Sequence, residues 1–219
     1  MIGDSMTIYN DQLSQYIVDL FAQEDQAQQR ARLDSPKLGL PDISVIPEEG
    51  RFLQFLGLAI GSHKALEIGT LGGYSGIWIA RGLAPGGKLI TLEKEPRHAQ
   101  IAQAHFDAAG VSDRIEIRVG GANHLLDQLC AEAPFDFVFI DADKEGNSAY
   151  LDWALEYTRI DGVIAVHNAF RGGSVAGTCR DDDQSERMRV FNRQIASEPR
   201  LLSTIFPAGD GTVIAVKIA

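Results

Sequence analysis

Cysteine is scarce in this chain: two residues, Cys130 and Cys179, among 219. Neither belongs to a Cys-x-x-Cys pair, and the count excludes a disulfide scaffold. A cytoplasmic, reducing setting is therefore expected. Cys130 ends an amphipathic stretch and reads as a small core residue. Basic residues are the minority, 20 against 30 acidic ones, for a formal net charge of −10. A phosphate backbone needs a basic face, so nucleic acid is not expected as a partner. An anionic membrane surface is excluded on the same ground. No apolar run is long enough to span a bilayer, and Met1 to Met6 show no basic-then-apolar leader pattern. There is no internal repeat or low-complexity segment. A Walker loop and a Gly-x-Ser-x-Gly elbow are also missing. The two tryptophans, Trp78 and Trp153, lie in helical patterns and read as core.

What is present is ordinary in bulk, with an apolar fraction of 45%. Tyr9 to Phe21 predicts a helix, with Leu13, Tyr16, Ile17, Leu20 and Phe21 at helical spacing. The polar run Gln23 to Arg32 reads as its solvated continuation. Asp34-Ser35-Pro36 and Gly39-Leu40-Pro41 punctuate a loop. Pro47 to Ile60 predicts another helix, with proline and two glutamates in its first turn. From Lys64 the chain alternates. Strands are predicted at Ala65–Ile68, Lys88–Glu93, Ile115–Val119, Phe135–Asp141 and Gly162–Val166. Helices fall between them at Ser75–Leu83, Pro96–Ala109, Ala122–Cys130 and Asn147–Tyr157. This order predicts a parallel sheet covered on both faces. A charged helix at Asp181 to Ala196 follows, and then Leu201–Phe206 and Thr212–Lys217 form a hairpin about Pro207 to Gly211.

The run Leu66-Glu67-Ile68-Gly69-Thr70-Leu71-Gly72-Gly73-Tyr74-Ser75 joins the first strand to its helix. Glycines there let backbone approach a ligand, and the helix offers free N–H groups. The dinucleotide pattern Gly-x-Gly-x-x-Gly is broken at Leu71. Glu67 would repel a pyrophosphate. It suits instead a cofactor with a cationic centre, an amino group and ribose hydroxyls, as in S-adenosylmethionine. The bland alternative is a strand-to-helix turn with packing glycines.

Other strand ends carry further candidates. Glu93 is placed to accept bonds from two ribose hydroxyls. Val119-Gly120-Gly121-Ala122 leaves space for a flat base, or is simply a helix entry. Phe139-Ile140-Asp141-Ala142-Asp143-Lys144 delivers hard oxygen donors and a lysine to the sheet's ligand-binding edge. Lys144 beside a divalent cation would serve as a base; otherwise the run is a surface turn. His167 and Asn168 reach the same edge. His63, His98, His105 and His124 have no ligand-like spacing and read as surface or helix residues.

Together these runs, with Pro47-Glu48-Glu49-Gly50-Arg51-Phe52-Leu53 and Pro207 to Gly211, resemble the cation-dependent class I O-methyltransferases of the caffeoyl-CoA and catechol type. The resemblance extends from about Tyr9 to the C-terminus. It implies an α/β fold, Rossmann-like and doubly wound, with a mostly parallel seven-stranded sheet, a C-terminal antiparallel hairpin and helices on both faces. It implies one domain over 1–219, with 1–46 as a helical, substrate-side segment and 47–219 as the cofactor-binding core. The implied cofactor is S-adenosylmethionine. Glu67, Gly69, Thr70 and Ser75 would surround its methionine end, with Glu93 at the ribose, Ala122 at the adenine, Val45 near the sulfonium and Asp141 alongside.

The implied metal ligands are Asp141, His167 and Asn168, and Lys144 falls on the general base. Family members usually carry Asp where this chain has His167. One anionic ligand fewer disfavours Mg²⁺, and imidazole suits softer divalent ions such as Zn²⁺, Mn²⁺ or Fe²⁺. In the alternative no metal binds and His167 deprotonates the substrate. The expected reaction is methyl transfer to a small phenolic or catechol-type hydroxyl, with divalent-cation assistance, in a homodimer. Acceptor selectivity is expected from the N-terminal segment, the Ile43–Ile46 loop and the Phe170–Cys179 loop. The competing readings are a non-catalytic or metal-independent S-adenosylmethionine-binding relative and a nicotinamide-dependent oxidoreductase.

Overall fold

Every apolar run expected as a strand enters one sheet. In the computed structural model, which describes residues 9–177 and 182–219, these are β1 (Lys64–Ile68), β2 (Lys88–Glu93), β3 (Ile115–Val119), β4 (Phe135–Ile140) and β5 (Thr158–His167). They pair in parallel. β6 (Leu201–Phe206) and β7 (Thr212–Lys217) complete the order β3-β2-β1-β4-β5-β7-β6, with β7 antiparallel to both its neighbours. The helices are α1 (Asp11–Phe21), α2 (Gln26–Lys37), α3 (Pro47–Ala59), α4 (Tyr74–Gly82), α5 (Pro96–Ala108), α6 (Ala122–Leu129), α7 (Asn147–Tyr157) and α8 (Asp183–Ser197). Among the described residues, no helix is long and apolar enough to cross a membrane.

Strand side chains alternate between two apolar layers, as the period of two requires. Leu66, Ile68, Val138 and Ile140 pack with Leu129, Leu151 and Phe191 of α6, α7 and α8. The intervening Ala65, Phe137 and Phe139 pack with Leu53, Trp78 and Phe106 of α3, α4 and α5. Trp78 is buried, as expected. Strand order reverses between β1 and β4, whose last residues Ile68 and Ile140 are in register. In open α/β sheets this reversal opens a crevice at the strands' carboxyl ends.

Three expectations need correction. The polar run after Phe21 does not continue α1. The helix stops at Ala22, and α2 starts afresh with a capping box between Asp25 and Gln28. Ser35 and Pro36 lie inside α2 instead of marking a loop, and Ala31 and Ser35 are buried. On α1, Tyr16, Leu20 and Phe21 are exposed, while Leu13 and Ile17 are half-buried. β5 begins at Thr158, ahead of the expected Gly162, through a register shift against β4 that Asp161 accommodates at φ +61°. Cys179 and Asp181 lie outside the described residues, and Cys130 is half-buried and free.

Two adjacent acids in the first turn of α3 tie distant parts together. Glu48 is buried and accepts hydrogen bonds from the Tyr9 hydroxyl and, at 2.8 Å, from Ser14 Oγ, which seats α1 on α3. Glu49 is buried beside it and accepts the Ile46 N–H at 3.1 Å.

Candidate active site

The β1–α4 turn rests directly on the β4–α7 turn. Gly69 adopts φ +103°, and a β-carbon there would lie 2.2 Å from the Asp141 carbonyl oxygen. Only glycine accepts both the conformation and the approach. The Asp141 N–H donates to Ile68 O at 2.9 Å and fixes the crossing.

Behind this turn lies Glu67, fully buried. Ser75 Oγ donates to Glu67 Oε1 and Thr91 Oγ1 to Oε2, each at 2.6 Å. Thr70 Oγ1 is 2.6 Å from Thr91 Oγ1, so four side chains form one chain of bonds. Burial pushes the Glu67 carboxyl up to about 7, against the lowering effect of the Ser75 and Thr91 hydroxyls. Glu67 itself lines neither of the two cavities at this edge of the sheet. Its reach toward a ligand passes through Ser75, which with Val45, Thr70 and Asp141 lines a small cavity of about 40 Å³.

A second cavity of about 510 Å³ opens over the strand ends. Gly69, Glu93, His98, Ala122, Asp141, Lys144, Asn168 and Arg171 are among the residues that line it. Glu93 accepts the Leu71 N–H at 2.8 Å and the Glu95 N–H at 3.0 Å. A carboxylate has about four acceptor sites, so capacity for a diol remains.

Next to Lys144 runs a line of charges. Lys144 Nζ lies 3.4 Å from Asp141 Oδ1. His167 Nδ1 lies 3.3 Å from Asp141 Oδ2, and His167 Nε2 3.1 Å from Glu49 Oε1. The two His167 contacts are oblique ion-pair contacts, not aligned hydrogen bonds. Burial alone would lower the His167 pKa, but the charges and contacts of Asp141 and Glu49 outweigh it and push it up to about 10. Burial alone would raise Asp141. The His167 ring and then Lys144 hold it below the usual carboxylate value.

As placed, this donor set does not fit a divalent cation. The imidazole separates the two carboxylates instead of joining them around a shared point. Asn168, at φ +64°, donates its amide to Asp210 Oδ2 at 3.2 Å. Among the described residues no group of three His, Cys, Asp or Glu side chains could hold a metal ion. His167 is also no substrate base. It is buried at 4% exposure, with a carboxylate at each ring nitrogen.

Two residues of this region escaped the sequence reading. Glu49 was visible only as a first-turn acid. His98 lines the large cavity with Nδ1 3.6 Å from Glu93 Oε1. Arg171, at φ +50° in the expected Phe170–Cys179 loop, lines the same cavity. Of the selectivity segments, Ile43 and Arg171 reach the cavity.

The chain matches the profile of a family described as O-methyltransferase over residues 20–218. It is 47% identical over 181 residues to a catechol O-methyltransferase of Mycobacterium tuberculosis, covering 83% of this chain and 81% of the relative. It is 40% identical over 197 residues to a catechol O-methyltransferase of Niastella koreensis, covering 89% of each. Its fold superposes on the crystal structure of a Bacillus cereus O-methyltransferase in complex with SAH at TM-score 0.86, with 40% identity, 94% of this chain and 97% of that one covered. The breadth of these matches sets aside the oxidoreductase reading: the chain belongs to the O-methyltransferase family.

Proposed function

We propose that this protein transfers the methyl group of S-adenosylmethionine to a phenolic hydroxyl of a small catechol-type acceptor. One observation carries the reading: a single cavity is lined by Glu93, Gly69 and Ala122 and also by Asp141, Lys144 and Asn168. A donor and an acceptor can therefore meet inside it. The names of the two catechol-methylating relatives and the SAH-bound neighbour support the same pairing.

The bound donor supplies an electrophilic methyl group on a sulfonium. Ser75, held by Glu67, and Thr70 and Val45 are assigned to its methionine end, Glu93 to its ribose and Ala122 to its adenine. Lys144 takes the proton of the acceptor hydroxyl. Asp141 then faces the ammonium so formed and stabilises it. The acceptor oxygen bonds to the methyl carbon as the carbon–sulfur bond breaks, and the protein's main contribution is to hold the two in line. Divalent-cation assistance is not part of this proposal, because the donors do not converge.

Catechol with S-adenosylmethionine, followed by mass spectrometry of the methyl ether, tests the reading. A product that gains one methyl group is expected, and Lys144→Ala should lower kcat by at least roughly 100-fold. S-adenosylhomocysteine should raise Tm while NAD leaves it unchanged. No shift with S-adenosylhomocysteine would end the proposal. The same reading includes a homodimer, supported by the outward apolar residues Tyr16, Leu20 and Phe21; a monomer in sedimentation equilibrium would remove that part.

A further inference from the structure

His167 leaves neither ring nitrogen for a third party. Its Nδ1 faces Asp141 Oδ2 at 3.3 Å and its Nε2 faces Glu49 Oε1 at 3.1 Å. A bare lone pair would be repelled by either carboxylate, so both nitrogens carry protons and the ring is a cation. Glu49 cannot swing away. Its Oε2 accepts the Ile46 N–H at 3.1 Å, and Thr212 Oγ1 donates to its Oε1 at 3.3 Å. A β-carbon on Gly209 would lie only 2.4 Å from the same carboxylate. On the cavity side, the remaining Asp141 oxygen faces Lys144 and the Asn168 amide is turned to Asp210.

We infer that in this chain the fixed charge of the His167 ring, bridging Asp141 and Glu49, replaces a divalent cation, and that methyl transfer proceeds without added metal. The inference rests on the O-methyltransferase reading and deepens it. The ring charge offsets one of the two carboxylates and stands between them, in the place a bound cation would otherwise take. His167 acts here through Asp141 and is a positioning residue.

Mn²⁺ titrated into protein saturated with S-adenosylhomocysteine, followed by electron paramagnetic resonance, reads the site without turnover. No stoichiometric uptake is expected. Catechol methylation in excess EDTA should stay within about twofold of the rate in Mg²⁺, whereas loss of a working Lewis acid would lower it by roughly tenfold or more. His167→Asp places three carboxylates together, so it should take up Mn²⁺ and gain thermal stability in Mg²⁺. Should that variant fail to fold without metal, the measurements on the unaltered protein decide alone. Stoichiometric Mn²⁺ uptake by that protein, or an EDTA loss restored by a divalent ion, overturns the inference. If catechol is methylated under neither condition, the acceptor assignment fails, and the resonance titration still decides the role of His167.

Discussion

Glu67 accepts two hydroxyl hydrogen bonds and has no cation against it. Its carboxyl is pushed by burial from 4.5 to about 7 in the folded protein. Between those values the native state holds more protons than the unfolded one, so this residue's contribution to stability falls as pH rises from about 4.5 through about 7. Above that window the ionised form is buried at full cost, on the order of 3 kcal/mol for a shift of this size. Glu67→Gln should therefore gain on the wild type between pH 5 and pH 8 in urea unfolding, by up to roughly 3 kcal/mol. A difference that does not move with pH would refute this account. His167→Ala is the opposite case. It strips the ring from Glu49, whose side chain is 2% exposed, and an uncompensated buried charge costs about 3–5 kcal/mol. A fall in Tm of roughly 10 °C is expected; a shift within a degree or two would mean that Glu49 finds water or a proton instead.

At the scale of elements, the crossing of the β1–α4 and β4–α7 turns governs the site. Gly69→Ala must separate backbones that now touch, so it should weaken S-adenosylhomocysteine binding by at least roughly tenfold and lower Tm. Unchanged affinity in calorimetry would show that the crossing tolerates a shift. Asp25→Ala removes one half of the α2 capping box and the 2.7 Å pair with Arg81. It should cost about 1 kcal/mol, measurable by thermal unfolding, with catalysis intact.

The strand–helix alternation was legible because buried parallel strands write continuous apolar runs and the helices between them are long. The break between α1 and α2 was not, because a capping box of Asp25 and Gln28 looks like any other polar run until its two bonds form. That Gly69, Glu93, Asp141 and Lys144 gather at one cavity was legible because strand ends are marked by where apolar runs stop. Glu49 was not: its partner His167 lies far along the chain, and no local period reports a contact between them. His98 failed for the same reason, since its cavity is made by other elements.

On the whole-molecule scale, both apolar layers are built on the same strands, with Leu66 in one and Ala65 in the other. Neither layer can dissolve without exposing the back of the other. A single unfolding transition is expected, with calorimetric and van't Hoff enthalpies equal. Two resolved transitions would show that the segment before α3 melts separately.

Glu48 and Glu49 are consecutive, yet one grips the entry helix and the other the buried ring behind Asp141. Whatever tugs on the first turn of α3 is felt in both places. Grafting the opening helix of one relative onto another would therefore transmit more than a change of surface: it would retune turnover from outside the pocket.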